Sequence, residues 1–229
     1  MSVAQLSIRS YVRYLVPLTL LSVIAFSPLI LLAYRVQVPL NAKQAQVALR
    51  MAWAFAGCSL IPLYLLVAGV APAVRGIASG APRSQLGVFV SGLVGLTRAV
   101  VPILLVIAAI AIGSLAVVVP GLILLVLLAL TGASVENGGP ARLGDSIAIA
   151  RTKILPVAGV IVATVGIQAI AIYVLSRPLV PVPKVPPPEL LVAFLHLVRL
   201  TGAGFALVAA LPAVVLAAIH ARAHLQLVR

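Results

Sequence analysis

The sequence predicts an all-α, polytopic transmembrane helical bundle of about six spans, with an interfacial helix after the fourth span. The first observation is composition: 63% of the residues are hydrophobic and 8% are charged, whereas soluble domains carry about 25% charged residues. The second is that apolar runs able to cross a core of about 30 Å recur along the chain. The third is that these runs are continuous rather than alternating, which favours helices over strands.

Six apolar segments are the predicted spans, and together they make residues 1–229 a single integral membrane domain. The first apolar run is longer than the roughly 7–15 residues of a signal-peptide core, so we expect it to remain as an uncleaved helix. The last exceeds the hydrocarbon core and is expected to tilt, kink or begin at the interface. The approximate bounds are 14–34, 51–74, 99–119, 122–135, 155–175 and 190–219.

Residues 75–98 leave two alternatives open. Their apolar part is too short to span alone, so it either lies at the interface or begins a long helix that kinks at Pro102. Gly87, Ser91 and Gly95 recur every fourth residue and therefore line one helix face, where small residues let two helices approach closely. The other interpretation of this spacing is the ordinary glycine richness of membrane helices.

The third and fourth spans are expected to form a tight hairpin. Pro120 and Gly121 separate them, a pair that marks turns, and the connection carries no charge. Residues 122–135 measure only about 21 Å as a helix at ~1.5 Å per residue. This span must therefore gain length from its flanks or thin the bilayer.

A helix on the membrane surface is predicted after the fourth span. Pro140 suits the first helical position, where its missing N–H is not needed. The residues that follow mix apolar and basic side chains, which is typical of a helix lying in the interface. Its apolar face would consist of Leu143, Ile147, Ala150 and Ile154.

Glu136 ends the fourth apolar segment and precedes a glycine turn. Its carboxylate is expected at headgroup depth, where a charge is tolerated only when it is paired or hydrated. Arg142 is nearest in sequence, and Arg98 and Arg151 are further candidates. We predict that Glu136 pairs with one of these arginines and holds the turn, which is a structural role rather than a catalytic one.

Three ionisable residues, Glu189, His196 and Arg199, lie within about 80° of one another on the last helix. An ionisable cluster inside a membrane is a functional hypothesis by default. The alternative, which we favour, is that this end of the helix lies in the interface and that Arg199 extends its charged group towards the headgroups.

Metal binding and catalysis find little support in the sequence. His220 and His224 are four residues apart and could share a metal, but a third ligand is missing, so we expect interfacial histidines. Cys58 is the single cysteine and is expected to be a small buried hydrophobic residue. Paired carboxylates, a phosphate-binding glycine loop and a zinc motif are all missing. We therefore expect no metal, no cofactor and no enzymatic activity.

The distribution of Lys and Arg predicts the orientation, because cytoplasmic loops are enriched in them. With six spans both termini share one side, which has ten basic residues against five on the other. Both termini are then cytoplasmic, and the proline-rich loop 176–188 lies outside. The ten are Arg9, Arg13, Arg75, Arg83, Arg98, Arg142, Arg151, Lys153, Arg222 and Arg229; the five are Arg35, Lys43, Arg50, Arg177 and Lys184.

A series of short motifs runs through the centre of the chain. Pro120–Gly121 opens an apolar helix, Glu136 ends it, and a glycine turn leads to Ala141 and then Asp145–Ser146. Within about residues 69–170 this series resembles a family of bacterial inner-membrane proteins of largely unassigned role, related to the membrane domain attached to some glycerophosphodiester phosphodiesterases. The resemblance implies a six-helix domain in the bacterial inner membrane. It does not imply phosphodiesterase activity for these residues. The turn glycines are Gly138 and Gly139.

Two functions follow as hypotheses. The first is an accessory or binding subunit that packs against other membrane proteins, a second copy of itself, or lipids. The second is a transporter or channel subunit for a small or amphiphilic solute, which usually needs polar groups or broken helices within the membrane. The net charge of +13 is spread singly between apolar spans, so anionic lipids are the expected counterions and nucleic acid is not an expected partner.

Overall fold

The structure, a computed structural model, describes residues 2–116, 118–135, 143–180 and 182–227. Helices account for its regular structure, and the described residues contain no strand, which confirms the predicted all-α fold. In chain order the helices are α1 (Val3–Arg13), α2 (Leu15–Arg35), α3 (Ala42–Cys58), α4 (Leu60–Ala78), α5 (Gln85–Ala116), α6 (Val118–Leu127), α7 (Thr131–Val135), α8 (Leu143–Thr152), α9 (Ile154–Ser176), a 3₁₀ turn (Arg177–Leu179), α10 (Pro188–Val208) and α11 (Ala210–Leu227).

Five helical stretches in the described part of the chain are long and apolar enough to cross a membrane. With the shorter apolar stretch Ile123–Ser134, they form the predicted bundle of about six spans, and the chain is a multi-pass membrane protein. The five are Leu15–Arg35, Ala42–Ala78, Gln85–Ile112, Ile154–Leu179 and Pro188–Leu225.

Two of these stretches are longer than expected because each joins two helices through a single residue. Ser59 joins α3 to α4 and Ala209 joins α10 to α11, and both keep right-handed helical dihedral angles. The first stretch starts at Ala42 because Asn41 caps it, its side chain accepting a hydrogen bond from the Gln44 amide at 2.9 Å. The predicted second span, 51–74, is therefore the inner part of a longer helical rod.

Helix α4 lies at the centre of the bundle. Thirteen of its 19 residues are buried, and it contacts α1, α2, α5, α7 and α11. Cys58, just before α4, is exposed, so the prediction of a buried cysteine is wrong. Because Cys58 sits on the outward side of the α3–α4 rod, its thiol does not belong to the core.

The start of the first helix and the end of the last lie at one end of the bundle, which we call the terminal end. Helix α1 packs against α11, and Val3 and Arg222 line the same cavity. The Tyr14 hydroxyl donates to the Arg83 carbonyl at 2.9 Å, which brings the start of α5 to this end. Since α2 runs for 21 residues away from it, Arg35 lies at the opposite end, which we call the loop end.

Helix α5 resolves the two alternatives for residues 75–98. It runs without interruption from Gln85 to Ala116, so the short apolar piece is the first part of a long helix. It packs against α6, as the predicted hairpin requires. Pro120 and Gly121 fall inside the first turn of α6 rather than in the connection, because proline is tolerated at the start of a helix.

The predicted fourth span, 122–135, is divided. Helix α6 ends at Leu127, residues 128–130 form a turn, and α7 begins at Thr131. Helix α8 is present after it, and its buried residues are Ser146, Ile149 and Ala150, so Ala150 alone of the predicted apolar face is fully buried among the described side chains. Ile154 is 45% exposed. The reason is that α8 packs against α7 and α11, so protein contacts decide which face it buries.

Candidate functional site

A close backbone contact fixes how α5 sits on α4. A Cβ atom built on Gly95 would lie 2.6 Å from the Ala68 carbonyl oxygen, and one built on Gly92 would lie 2.7 Å from that of Gly69. Only glycine fits such an approach, which is how small residues act between membrane helices. Gly92 and Gly95 therefore form the face of α5 that contacts α4, and this face is buried in the core.

Of the three residues of the predicted face, the structure brings Gly95 alone against α4. A Cβ on Gly87 would meet only Ser84 and Arg83, at the start of its own helix. The Ser91 hydroxyl donates to the Gly87 carbonyl at 2.6 Å within α5. The glycine spacing in the sequence thus indicated the helix that makes the contact. The residues in contact are Gly92 and Gly95, on a neighbouring face of α5.

The depth of Arg98 follows from the packing of α5 beside α2. Gln85, the first residue of α5, donates from its side-chain amide to the Arg13 carbonyl at 2.6 Å, so α2 and α5 begin at the same level. Arg13 and Arg35 bracket a helix of about 33 Å at ~1.5 Å per residue, which matches the hydrocarbon core of about 30 Å. Arg98 lies 13 residues after Gln85, or about 20 Å along α5. It is therefore well inside the core.

Arg98 points outward from an apolar surface. It is exposed, and its neighbours on the same face, Val94 and Val101, are 42% and 66% exposed. Within the described chain it has no hydrogen-bond or ion-pair partner. Helical side chains lean towards the helix N-terminus, and the terminal end is farther than an arginine reaches. Arg98 is thus an isolated cation on a face that meets lipid or another protein.

This position corrects the count of basic residues at the side predicted to be cytoplasmic. Arg98 belongs to the interior of a spanning helix, so it drops out of the ten. Arg199, whose guanidinium lies against Tyr34 at the loop end, joins the other side. Nine residues therefore stand against six, and the predicted direction of the asymmetry is unchanged. Glu136 and Arg142, the other predicted pairing residues, lie outside the described residues.

At the break between α6 and α7, side chains from neighbouring helices form hydrogen bonds with the backbone. The Tyr64 hydroxyl donates to the Leu125 carbonyl at 2.6 Å, and the Ser146 hydroxyl donates to the Leu127 carbonyl at 3.1 Å. Thr131 lies 3.4 Å from the Ser146 oxygen. Backbone groups freed within a membrane must find partners inside the protein. Tyr64 and Ser146 supply such partners for the Leu125 and Leu127 carbonyl groups.

Helix α7 is tied to the terminal end by two further polar contacts. The Arg75 guanidinium donates to the Ala133 carbonyl at 3.3 Å, and Ser134 lies 3.2 Å from the Nε2 atom of His220. His220 is 3% exposed, so it is a core residue rather than the interfacial histidine that the sequence suggested. A single hydroxyl in an apolar run, such as Tyr64 or Ser134, is the signal that marks these positions in the sequence.

A basic cavity of about 340 Å³ opens at the terminal end beside this contact. Arg75, Arg83, His220 and His224 contribute to its lining, and the two imidazole ring centres are 6.3 Å apart. Among the described residues no group of three or more His, Cys, Asp or Glu side chains could hold a metal ion. The cavity therefore offers hydrogen-bond donors at the junction of these helices.

The structure does not bring Glu189, His196 and Arg199 into contact with one another. Glu189 and His196 are exposed, and Arg199 is half-buried. The Arg199 guanidinium carbon lies 5.3 Å from the centre of the Tyr34 ring, a cation–π contact that joins α10 to the end of α2. Arg199 is therefore level with the loop end of the bundle.

Comparison of the chain with protein-family models, curated proteins and solved structures finds no match.

Proposed function

We propose that this chain is a non-enzymatic accessory or binding subunit of the bacterial inner membrane, with both termini in the cytoplasm, that packs against another membrane protein or a second copy of itself. The observation that carries the proposal is Arg98, an outward-facing cation at mid-depth on a spanning helix. The nine-to-six asymmetry of basic residues supports the orientation. Anionic lipids balance the remaining positive charge.

The energetic argument starts from the cost of an arginine inside the bilayer. Insertion scales put this cost at about 2.5–3.5 kcal/mol at the centre of a helix. A membrane protein that has no protein partner has no interaction to offset this insertion cost. A partner helix that offers a carboxylate or a row of hydroxyls to Arg98, and apolar side chains to Val94 and Val101, offsets the cost and gains specificity.

The same proposal includes kinship with the bacterial inner-membrane family that the central motifs resemble. Its support is the order of those motifs, from Pro120–Gly121 to Asp145–Ser146. An accessory role without catalysis agrees with the lack of a recognisable catalytic constellation in the sequence.

The test replaces Arg98 with leucine and compares the proteins that co-purify from native membranes in mild detergent. Loss of a partner from Arg98→Leu is expected, with retention in Arg98→Lys. The isolated Arg98→Leu protein should unfold at the same or a higher temperature, because the substitution removes a charge from an apolar face. Arg177→Leu, at an exposed arginine of the 3₁₀ turn after α9, is the matched control. An unchanged set of partners in Arg98→Leu would contradict the proposal.

A transporter or channel subunit is the second candidate, and the divided α6–α7 helix favours it. Broken helices held by side chains from neighbouring elements are the usual setting for solute sites in transporters. Dye-loaded vesicles containing the purified protein distinguish the two functions. A solute flux that Ser146→Ala or Thr131→Val reduces, and Arg98→Leu does not, would favour transport over the accessory role.

A further inference from the structure

A groove on the outside of the bundle separates α9 from α10 and α11. Its volume is about 650 Å³, within the range of roughly 300–1,000 Å³ typical of small-molecule sites. A Cβ built on Gly204 in its wall would meet no atom within 4 Å, so the space is open. Because the groove runs along three spanning helices, its mouth faces the acyl-chain region of the bilayer.

The groove presents an almost wholly apolar wall even where its residues are polar. The Thr164 hydroxyl donates to the Val160 carbonyl at 2.7 Å, and the Thr201 hydroxyl donates to its own helix at 2.9 and 3.0 Å. The Gln168 carbonyl oxygen accepts from Ser59 at 3.0 Å. With these three oxygen atoms satisfied within the protein, the wall is mostly hydrocarbon, and that is the chemistry it accepts.

At the terminal end the groove adjoins a second cavity of about 460 Å³. Val160 and Val215 line both cavities, so the two lie next to each other along α9 and α11. Lys153 and Arg222 line the second cavity. None of the described residues that line either cavity is acidic.

We propose that this groove binds an anionic phospholipid, with its phosphate between Lys153 and Arg222 and an acyl chain against α9, α10 and α11. An apolar groove in the membrane layer that ends in two cations at the headgroup level matches such a lipid in both shape and charge. A neutral lipid matches the groove but not the cations, and a partner helix does not need a cationic mouth. The inference deepens the lipid part of the proposed function and is independent of Arg98.

Native mass spectrometry of the purified full-length protein tests the site. Dioleoyl phosphatidylglycerol and dioleoyl phosphatidylethanolamine, which carry the same acyl chains, are titrated separately. We expect tighter binding of phosphatidylglycerol. Lys153→Gln should weaken it about five-fold, which corresponds to the ~1 kcal/mol contributed by one basic residue near a membrane surface. Lys153→Arg should restore it, and Lys184→Gln, at an exposed lysine of the loop end, should have no effect.

The groove is tested separately from the cations. Ala163→Trp fills it and should remove phosphatidylglycerol binding, whereas Val162→Trp, on a 69% exposed neighbour that does not line the groove, should not. Equal binding of the two lipids, or equal behaviour of the two tryptophan variants, overturns the lipid site. Neither outcome bears on the partner of Arg98. Conversely, Arg98→Leu should bind phosphatidylglycerol normally even if it loses its protein partner.

Discussion

At the scale of single residues, the structure relies on a few hydroxyl groups within an otherwise apolar interior. Tyr64 is 2% exposed, and its hydroxyl is the donor that satisfies the Leu125 carbonyl. In a soluble protein water can take over when such a donor is lost. Inside a membrane it cannot, so these hydroxyls matter more than their number suggests.

Tyr64→Phe keeps the ring and removes the donor. It should destabilise the protein by about 1–3 kcal/mol, the cost of leaving a buried acceptor unsatisfied. A change of 1 kcal/mol lowers the melting temperature of a protein of this size by about 2–4 °C. Thermal unfolding in detergent measures the effect, and Tyr173→Phe, on a tyrosine that is 60% exposed, is the control. Equal melting temperatures for the two variants would show that the α6–α7 break does not need this donor.

Residue composition alone could not show where Arg98 lies. The sequence allowed it to end a connection, because the apolar run after it is long enough to span by itself. Only the continuity of α5 from Gln85, and its start beside Arg13, place Arg98 in the interior of the bilayer. His220 is a similar case, since its burial depends on α7, α8 and α11 meeting.

At the scale of elements, the apolar runs predicted the helices, and their ends were set by local chemistry. Asn41 starts α3 well before the predicted second span. Small residues predicted a close contact on α5, but the face that makes the contact depends on how α4 and α2 approach it. Periodicity within one helix cannot supply that information, because it does not say which neighbour lies on which side.

Gly95→Ala tests the α4–α5 contact, because the contact determines whether the substitution lowers or raises the melting temperature. In an open helix, replacing glycine with alanine stabilises by up to about 1 kcal/mol. At Gly95 the added methyl would collide with the Ala68 backbone, so the melting temperature should fall. Gly159→Ala, where a Cβ has open space, should raise it or leave it unchanged. A stabilised Gly95→Ala variant would mean that the helices do not touch there.

At the scale of the whole molecule, composition predicted the all-α membrane bundle and about six spans. It could not predict the groove between α9 and α11 or the basic mouth that continues it. These features arise from gaps between helices distant in the chain, and no local pattern encodes a gap.

The orientation is a whole-molecule property that thiol labelling can measure. In a Cys58→Ala background, cysteine is placed at Ala81, an exposed position at the terminal end, or at Val185, which is 87% exposed in the proline-rich loop. An impermeant reagent applied to spheroplasts should label position 185 directly and position 81 only after permeabilisation. The reverse pattern would place both termini outside.

The two joined helices, α3–α4 and α10–α11, also set the height of the molecule. They contain 37 and 40 residues, or about 55 and 60 Å at ~1.5 Å per residue, and they pack side by side along their length. A bilayer core of about 30 Å covers about half of that. Part of the remainder lies on the loop-end side, where the 11 residues of α10 that precede Arg199 extend about 16 Å beyond the level of Tyr34 and form, with α3, a stiff double post. A protein lying on that surface would therefore meet the post before it meets the membrane.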